Sequence, residues 1–217
     1  MNKEFQEKLI KIAEDNQTKE DPAHDFQHIL RVTNLARKIG EREGADMEIL
    51  ISAALFHDAV IYPKNSTQSR NETEESAEYV ERILMDIPEY PKEKIEKVKT
   101  CIRQCSFSKG IVPDLLEAKI LQDADRLEAT GAIAIMRTFS SGGQMNRPFY
   151  LSEDPFFEKT ELIPFSASLE LFYKRLLVVE KGMHTEMARQ IAGRRTQFLR
   201  DFLAELKLEL QESEIIK

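Results

Sequence analysis

Apolar residues recur along this chain at intervals of three and four, and nowhere convincingly at intervals of two. That period predicts helices and no strand. Residues Asn2–Asp15 read as a short amphipathic helix with Phe5, Leu9, Ile12 and Ala13 on one side, closed by the polar run QTKEDPAHD. A second helix begins between Pro22 and Phe26 and runs to Glu43, where Gly44 is a good C-terminal stop. Its stripe is Val32, Leu35, Ala36 and Ile39, and His28 lies one turn before Val32 on the same face.

The third helix, Asp46–Ala59, is almost wholly apolar and is therefore expected at the centre of the fold. A loop follows, because Pro63 disfavours helix at Tyr62. Asn71 with Glu74 forms a capping-box pattern before a helix with Ala77, Val80, Ile83 and Leu84 inward. Another helix carries Ile95, Val98, Ile102 and Cys105, and SFSKGIVP after it reads as a loop. A second capping-box pattern, Asp114 with Glu117, opens a long helix from Leu115 to about Phe139. The stretch SSGGQMNRPFYLSEDPFFEKTELIP has no period, but its aromatic content argues for order rather than disorder. Two last helices are expected at about Ser166–Lys181 and Thr185–Leu210, the second with Met187, Ile191, Phe198 and Phe202 inward.

Composition agrees with this all-α reading. Glycine is sparse, at 8 in 217 residues, while helix-forming Glu, Lys, Arg, Leu and Ala abound. One domain spanning 1–217 is expected, with its core at about 20–140, a long loop at 141–165 and C-terminal helices at 166–217 packing on that core. The net charge of −7 argues against a duplex nucleic-acid binder, which normally carries a basic face. A locally basic cleft for a small anion remains compatible with it. Cys101 and Cys105 are too few and too close for a disulfide framework. The charged start MNKEFQEKLI and the lack of a long apolar run lead to the expectation of a cytoplasmic protein without membrane contact.

Five polar residues interrupt these apolar stripes in a way burial tolerates poorly. In ILISAALFHD, eight uncharged residues run into His57 and Asp58. His28 stands above the core stripe of its own helix, and LQDADRL sets Asp123 and Asp125 among apolar neighbours. Spacing alone does not choose between those two aspartates. Two imidazoles and two carboxylates would suit a divalent transition metal better than Ca²⁺, which prefers oxygen ligands alone. Adjacent residues on a helix point ~100° apart, so His57 and Asp58 can share an ion only where the helix ends or along its flank.

With these motifs in order, the chain resembles the HD-domain metal-dependent phosphohydrolases, and within them the YpgQ/YedJ-like nucleotide pyrophosphohydrolase subfamily. HDFQHILRV looks like the first histidine motif, ALFHDAVIYPKN like the His-Asp segment and AKILQDADRLEATGAIAIMRTFSSGG like the Asp segment. FYKRLLVVEKGMHTEMARQIAGRRTQFLRDFL is similar to the subfamily's C-terminal helices. The resemblance implies a single HD-type helical bundle with additional C-terminal helices. It implies His28, His57, Asp58 and Asp125 as metal ligands, with His57 and Asp58 central to catalysis, and so selects Asp125 over Asp123. One divalent ion is expected, Mn²⁺ first, with Mg²⁺, Co²⁺, Ni²⁺, Fe²⁺ and Zn²⁺ as alternatives, since AVIYPKN brings no further ligand type for a second metal. Cys105 stands where relatives tend to carry histidine. The implied reaction is hydrolysis of a nucleoside or deoxynucleoside triphosphate to monophosphate and pyrophosphate by a metal-activated water. The alternatives are an HD-type 5′-nucleotidase or phosphodiesterase and, from another class, a non-catalytic nucleotide-binding helical module. Lys64, Arg147 and Lys174 are the candidate substrate cations. Glu74 and Glu75 are the guesses for a general base. Asp25 is expected to cap a helix or orient an imidazole. Oligomeric state is left open, with a homodimer as the guess.

Overall fold

The computed structural model describes residues 3–16, 25–62, 66–159 and 166–216. Among them are nine α-helices, several short 3₁₀ turns and no strand. No helix there is long and apolar enough to cross a membrane. The chain forms two compact units, residues 1–125 and 126–217.

The first unit holds α1 (Lys3–Asp15), α2 (Phe26–Glu43), α3 (Met47–Phe56), α4 (Glu72–Met85), α5 (Ile95–Gln104) and nearly all of α6 (Leu116–Arg126). α3 is its centre: every residue from Ile49 to Phe56 is buried, and the helix packs against α1, α2, α4 and α5. An almost uncharged helix reaches this position because no face of it prefers water. α2 can lie close to it because Gly40 presents no side chain there. A Cβ at Gly40 would sit 2.4 Å from Leu50 Cδ2. α2 begins on Asp25, whose side chain accepts from the His28 amide, and stops at Gly44 with φ 75°. Both ends therefore match the sequence expectation.

α3 is tied down at its start by its own cap and by two other segments. Asp46 caps it, accepting from the amides of Glu48 and Ile49. The Asp46 amide in turn donates to Glu117 Oε1 of α6 at 2.7 Å. Lys94, just before α5, reaches Asp46 and Glu48 at 2.7 Å each. Glu117 thus plays the reciprocal part of a capping box, but for a helix distant in sequence rather than for its own. Neither local capping box forms as expected. Asp114 accepts from the Gln104 side-chain amide, Asn71 makes no side-chain cap bond, and Glu74 binds Arg103.

The expected single helix Leu115–Phe139 is two helices. α6 gives way to a 3₁₀ turn at Leu127–Ala129, Thr130 is extended (φ −146°, ψ 154°), and α7 (Gly131–Gln144) starts at Gly131 with φ 80°. Only glycine adopts that angle without strain, so Gly131, inside the expected single helix, is the hinge between elements. The second unit continues with α8 (Glu170–Lys174) and α9 (Glu186–Glu212). The helix expected at Ser166–Lys181 breaks at Arg175 (φ −129°, ψ −56°) into α8 and a 3₁₀ turn, Leu176–Gly182.

α9 starts at the expected place, with Thr185 as its cap, but its buried line is Ala188, Ala192, Thr196, Leu199 and Leu203. That line is one residue on from the expected stripe, and Phe198 is 47% exposed. Small residues allow close approach, and side-chain size alone misled the reading. The aperiodic stretch is held by packing within its own unit. Phe156 is buried with Phe172 and Leu199, Phe157 faces Tyr173 at 6.1 Å, and Phe149 meets Phe139 edge-on at 5.5 Å. Asp154 accepts from the amides of Glu158 and Lys159. Phe165 lies outside the described residues.

Candidate metal centre

The first unit brings His28, His57, Asp58 and Asp125 to one place. His28 occupies the first turn of α2, placed by the Asp25 cap, which accepts from its amide at 2.9 Å. Its ring is buried. His57 is the C-cap of α3 (φ −62°, ψ −31°), so the helix ends three residues before the expected Ala59. The chain turns there, with the Ala59 amide donating to the Phe56 carbonyl at 3.2 Å. This early stop lets neighbouring side chains face one point although an uninterrupted helix would splay them. Asp125 lies in the last turn of α6, before the same kind of break.

The distances close the group. Asp58 Oδ2 is 3.6 Å from Nε2 of both His28 and His57. Asp125 Oδ1 is 3.5 Å from His28 Nε2 and 3.9 Å from His57 Nε2. The imidazole centroids are 5.6 Å apart and tilted at 58°. One ligand atom each from His28, His57 and Asp125 lie within 4.8 Å of one another. These separations exceed good hydrogen bonds. They match the edges of a coordination polyhedron: donors at ~2.1 Å from a tetrahedral ion stand about 3.4 Å apart.

The His57 tautomer follows from its surroundings. Nδ1 lies 2.8 Å from the Ala54 carbonyl, which can only accept, so Nδ1 carries the proton. Nε2 of the neutral ring then presents a lone pair to the cluster. That buried atom makes no hydrogen bond among the described residues. A polar atom in this state is costly unless a cation satisfies it. A backbone carbonyl fixing the far nitrogen is the usual support of a metal-binding imidazole. The carboxylates are reachable from outside: the Asp58 and Asp125 side chains keep 29% and 34% of their exposure, the imidazoles 1%. His28, His57 and Asp125 could therefore hold a metal ion, and Asp58 Oδ2 stands 3.6 Å from both imidazole Nε2 atoms beside them.

Cys105 belongs beside this cluster. Burial pushes its thiol well above the ordinary cysteine range, and the nearby charges of Asp58 and Asp125 add to the shift. Helical periodicity placed this residue only in the α5 stripe; nothing in its spacing signalled the carboxylates. Asp123 is fully buried two positions before Asp125. Glu74 is committed to Arg103, which holds its carboxyl below the usual range by hydrogen bonds from Nε and Nη2. Glu75 accepts from the Tyr62 hydroxyl at 2.6 Å. Of the expected substrate cations, Lys64 lies outside the described residues. Arg147 and Lys174 fall in the second unit, where Lys174 forms an ion pair with buried Glu170.

Comparison with known proteins is consistent with this geometry. The model of the HD domain family matches residues 25–130, a span that contains all four residues. The chain is 32% identical to YpgQ of Bacillus subtilis over 197 residues, covering 89% of this chain and 87% of that protein. The crystal structure of B. subtilis YpgQ in complex with ADP superposes with a TM-score of 0.71 at 28% identity, covering 95% of each chain. An HD-superfamily hydrolase from Bacillus thuringiensis is similar at TM-score 0.71 and 31% identity, covering 96% of this chain and 97% of that one.

Proposed function

The chain belongs to the HD-domain family, and from that premise we propose that it is a metal-dependent phosphohydrolase that cleaves nucleoside or deoxynucleoside triphosphates to monophosphate and pyrophosphate. The observation that carries this reading is the approach of His28, His57, Asp58 and Asp125 to within 3.5–3.9 Å across the pairs of imidazole and carboxylate. These four would hold one divalent ion, with Mn²⁺ as the first choice. When bound, such an ion lowers the pKa of a coordinated water from ~15.7 towards neutrality and polarises a phosphoryl oxygen.

The chain's own residues prepare that chemistry. The Ala54 carbonyl fixes His57 in the tautomer that can ligate. The Asp25 cap fixes the backbone of His28 at the start of α2. Asp58 and Asp125 supply two negative charges that offset a dication while leaving their outer edges open to substrate. The nucleotide part of the reading is supported by the similarity to YpgQ, whose structure was determined with ADP. A phosphate-bearing ligand also suits a metal centre better than an apolar one would.

The test is product analysis. Purified protein is incubated with nucleoside triphosphates and Mn²⁺, and pyrophosphate is resolved from orthophosphate. The expected result is pyrophosphate with the matching monophosphate, and loss of at least ~10²-fold in rate for Asp58→Ala, as expected when charge stabilisation at a reacting centre is removed. Orthophosphate released from a monophosphate points instead to the 5′-nucleotidase alternative. Undiminished turnover by Asp58→Ala contradicts the site itself.

A further inference from the structure

Asp58 does not sit on a helix. From His57 the chain turns and runs unwound through Tyr62, so the carboxylate depends on whatever holds that segment. α4 supplies the hold. The Val60 amide donates to Ser76 Oγ at 3.0 Å, and the Ser76 hydroxyl lies 3.5 Å from the Val60 carbonyl. Two residues on, the Tyr62 amide donates to Glu72 Oε1 at 2.8 Å. The Tyr62 hydroxyl donates to Glu75 Oε2 at 2.6 Å. Glu72, Glu75 and Ser76 follow i, i+3, i+4 spacing and so share one face of the helix. Glu74, between them, turns away to Arg103. The two acidic residues stand in the first turn of α4, where the helix dipole favours negative charge. Ser76 is fully buried.

We propose that Glu72, Glu75 and Ser76 are positioning residues that clamp the His57–Tyr62 segment and thereby set the metal affinity of the site. The proposal rests on the reading of the four-residue cluster as a metal centre. Ordering an unrestrained segment costs backbone entropy at every residue. The clamp meets that cost on folding, so Asp58 Oδ2 is held at 3.6 Å from both imidazole nitrogens before any ion arrives. None of the three residues is required to touch substrate.

The experiment is calorimetric titration of the full chain with Mn²⁺ alone, with melting of the metal-free protein as a parallel readout. Glu72→Ala and Ser76→Ala are expected to weaken Mn²⁺ binding 10- to 100-fold, the usual effect of losing an outer-shell partner. Glu72→Gln keeps the acceptor oxygen and is expected to bind within about threefold of wild type. A purely structural role would lower the melting temperature of every variant and leave the affinity of the folded protein unchanged. Wild-type affinity in both Glu72→Ala and Ser76→Ala, with wild type itself binding, overturns the clamp and leaves the metal centre standing. A loss in Glu72→Gln equal to that in Glu72→Ala contradicts the hydrogen-bond account. Absence of Mn²⁺ binding by wild type, or full binding by Asp58→Ala, overturns the metal reading and the clamp with it. Should Ser76→Ala fail to fold, the half-exposed Glu72 pair decides alone.

Discussion

At the scale of single residues, protonation and burial decide what each group can do. His57 is a ligand candidate because the Ala54 carbonyl accepts a hydrogen bond from its Nδ1–H and leaves Nε2 facing the cluster, not simply because it is a histidine. The two cysteines show the opposite case. Burial pushes the Cys101 thiol up to about 12 and holds Cys105 well above its ordinary range. Thiolate, the reactive form, is therefore suppressed at both. The expected outcome with an aromatic disulfide reagent at pH 8 is no labelling of the native protein and reaction of both cysteines after denaturation. Rapid labelling of the native protein would show that Cys105 is open to solvent beside the cluster. The four cluster residues were legible from sequence because polar groups interrupting apolar stripes ask for an explanation. Spacing did not separate Asp123 from Asp125, because both interrupt the same helix; the family resemblance chose Asp125, and the fold brings its Oδ1 to 3.5 Å from His28 Nε2.

At the scale of elements, ends matter more than lengths. α2 was legible at both termini because Asp25 and Gly44 are local signals. The split between α6 and α7 was not, since helical period continues across Thr130 and only the backbone angle of Gly131 reveals the break. The register of α9 slipped by one because alanines, not phenylalanines, face inward. The start of α3 yields a pH prediction. Burial raises the Asp46 carboxyl, but hydrogen bonds from Lys94 and from the amides of Glu48 and Ile49 outweigh it and hold it below 3.8. A carboxyl depressed in the folded state binds its proton more readily when unfolded. Its contribution is therefore full above 3.8 and is lost as pH falls below that value. Asp46→Asn keeps a good cap and removes the charge. Urea unfolding should show wild type more stable than this variant from pH 5 to 7, with the gap closing below about pH 4. A gap independent of pH would contradict the role of the charge.

At the scale of the molecule, one compact unit, residues 1–125, contains the whole cluster. Four residues separated by nearly a hundred positions converge because α2, α3 and α6 all begin or end at the same place. Sequence order alone does not encode that convergence; the central α3, buried from Ile49 to Phe56, sets one side of it by ending at His57. The substrate side was less legible, since isolated lysines and arginines carry no period and Lys64 falls outside the described residues. The central claim is that His28, His57, Asp58 and Asp125 hold one divalent ion. Anomalous diffraction from crystals grown with Mn²⁺ tests it most directly. The account predicts a single strong peak about 2.0–2.3 Å from both imidazole Nε2 atoms and from an oxygen of each carboxylate. No peak there, or a peak coordinated elsewhere in the chain, would contradict it.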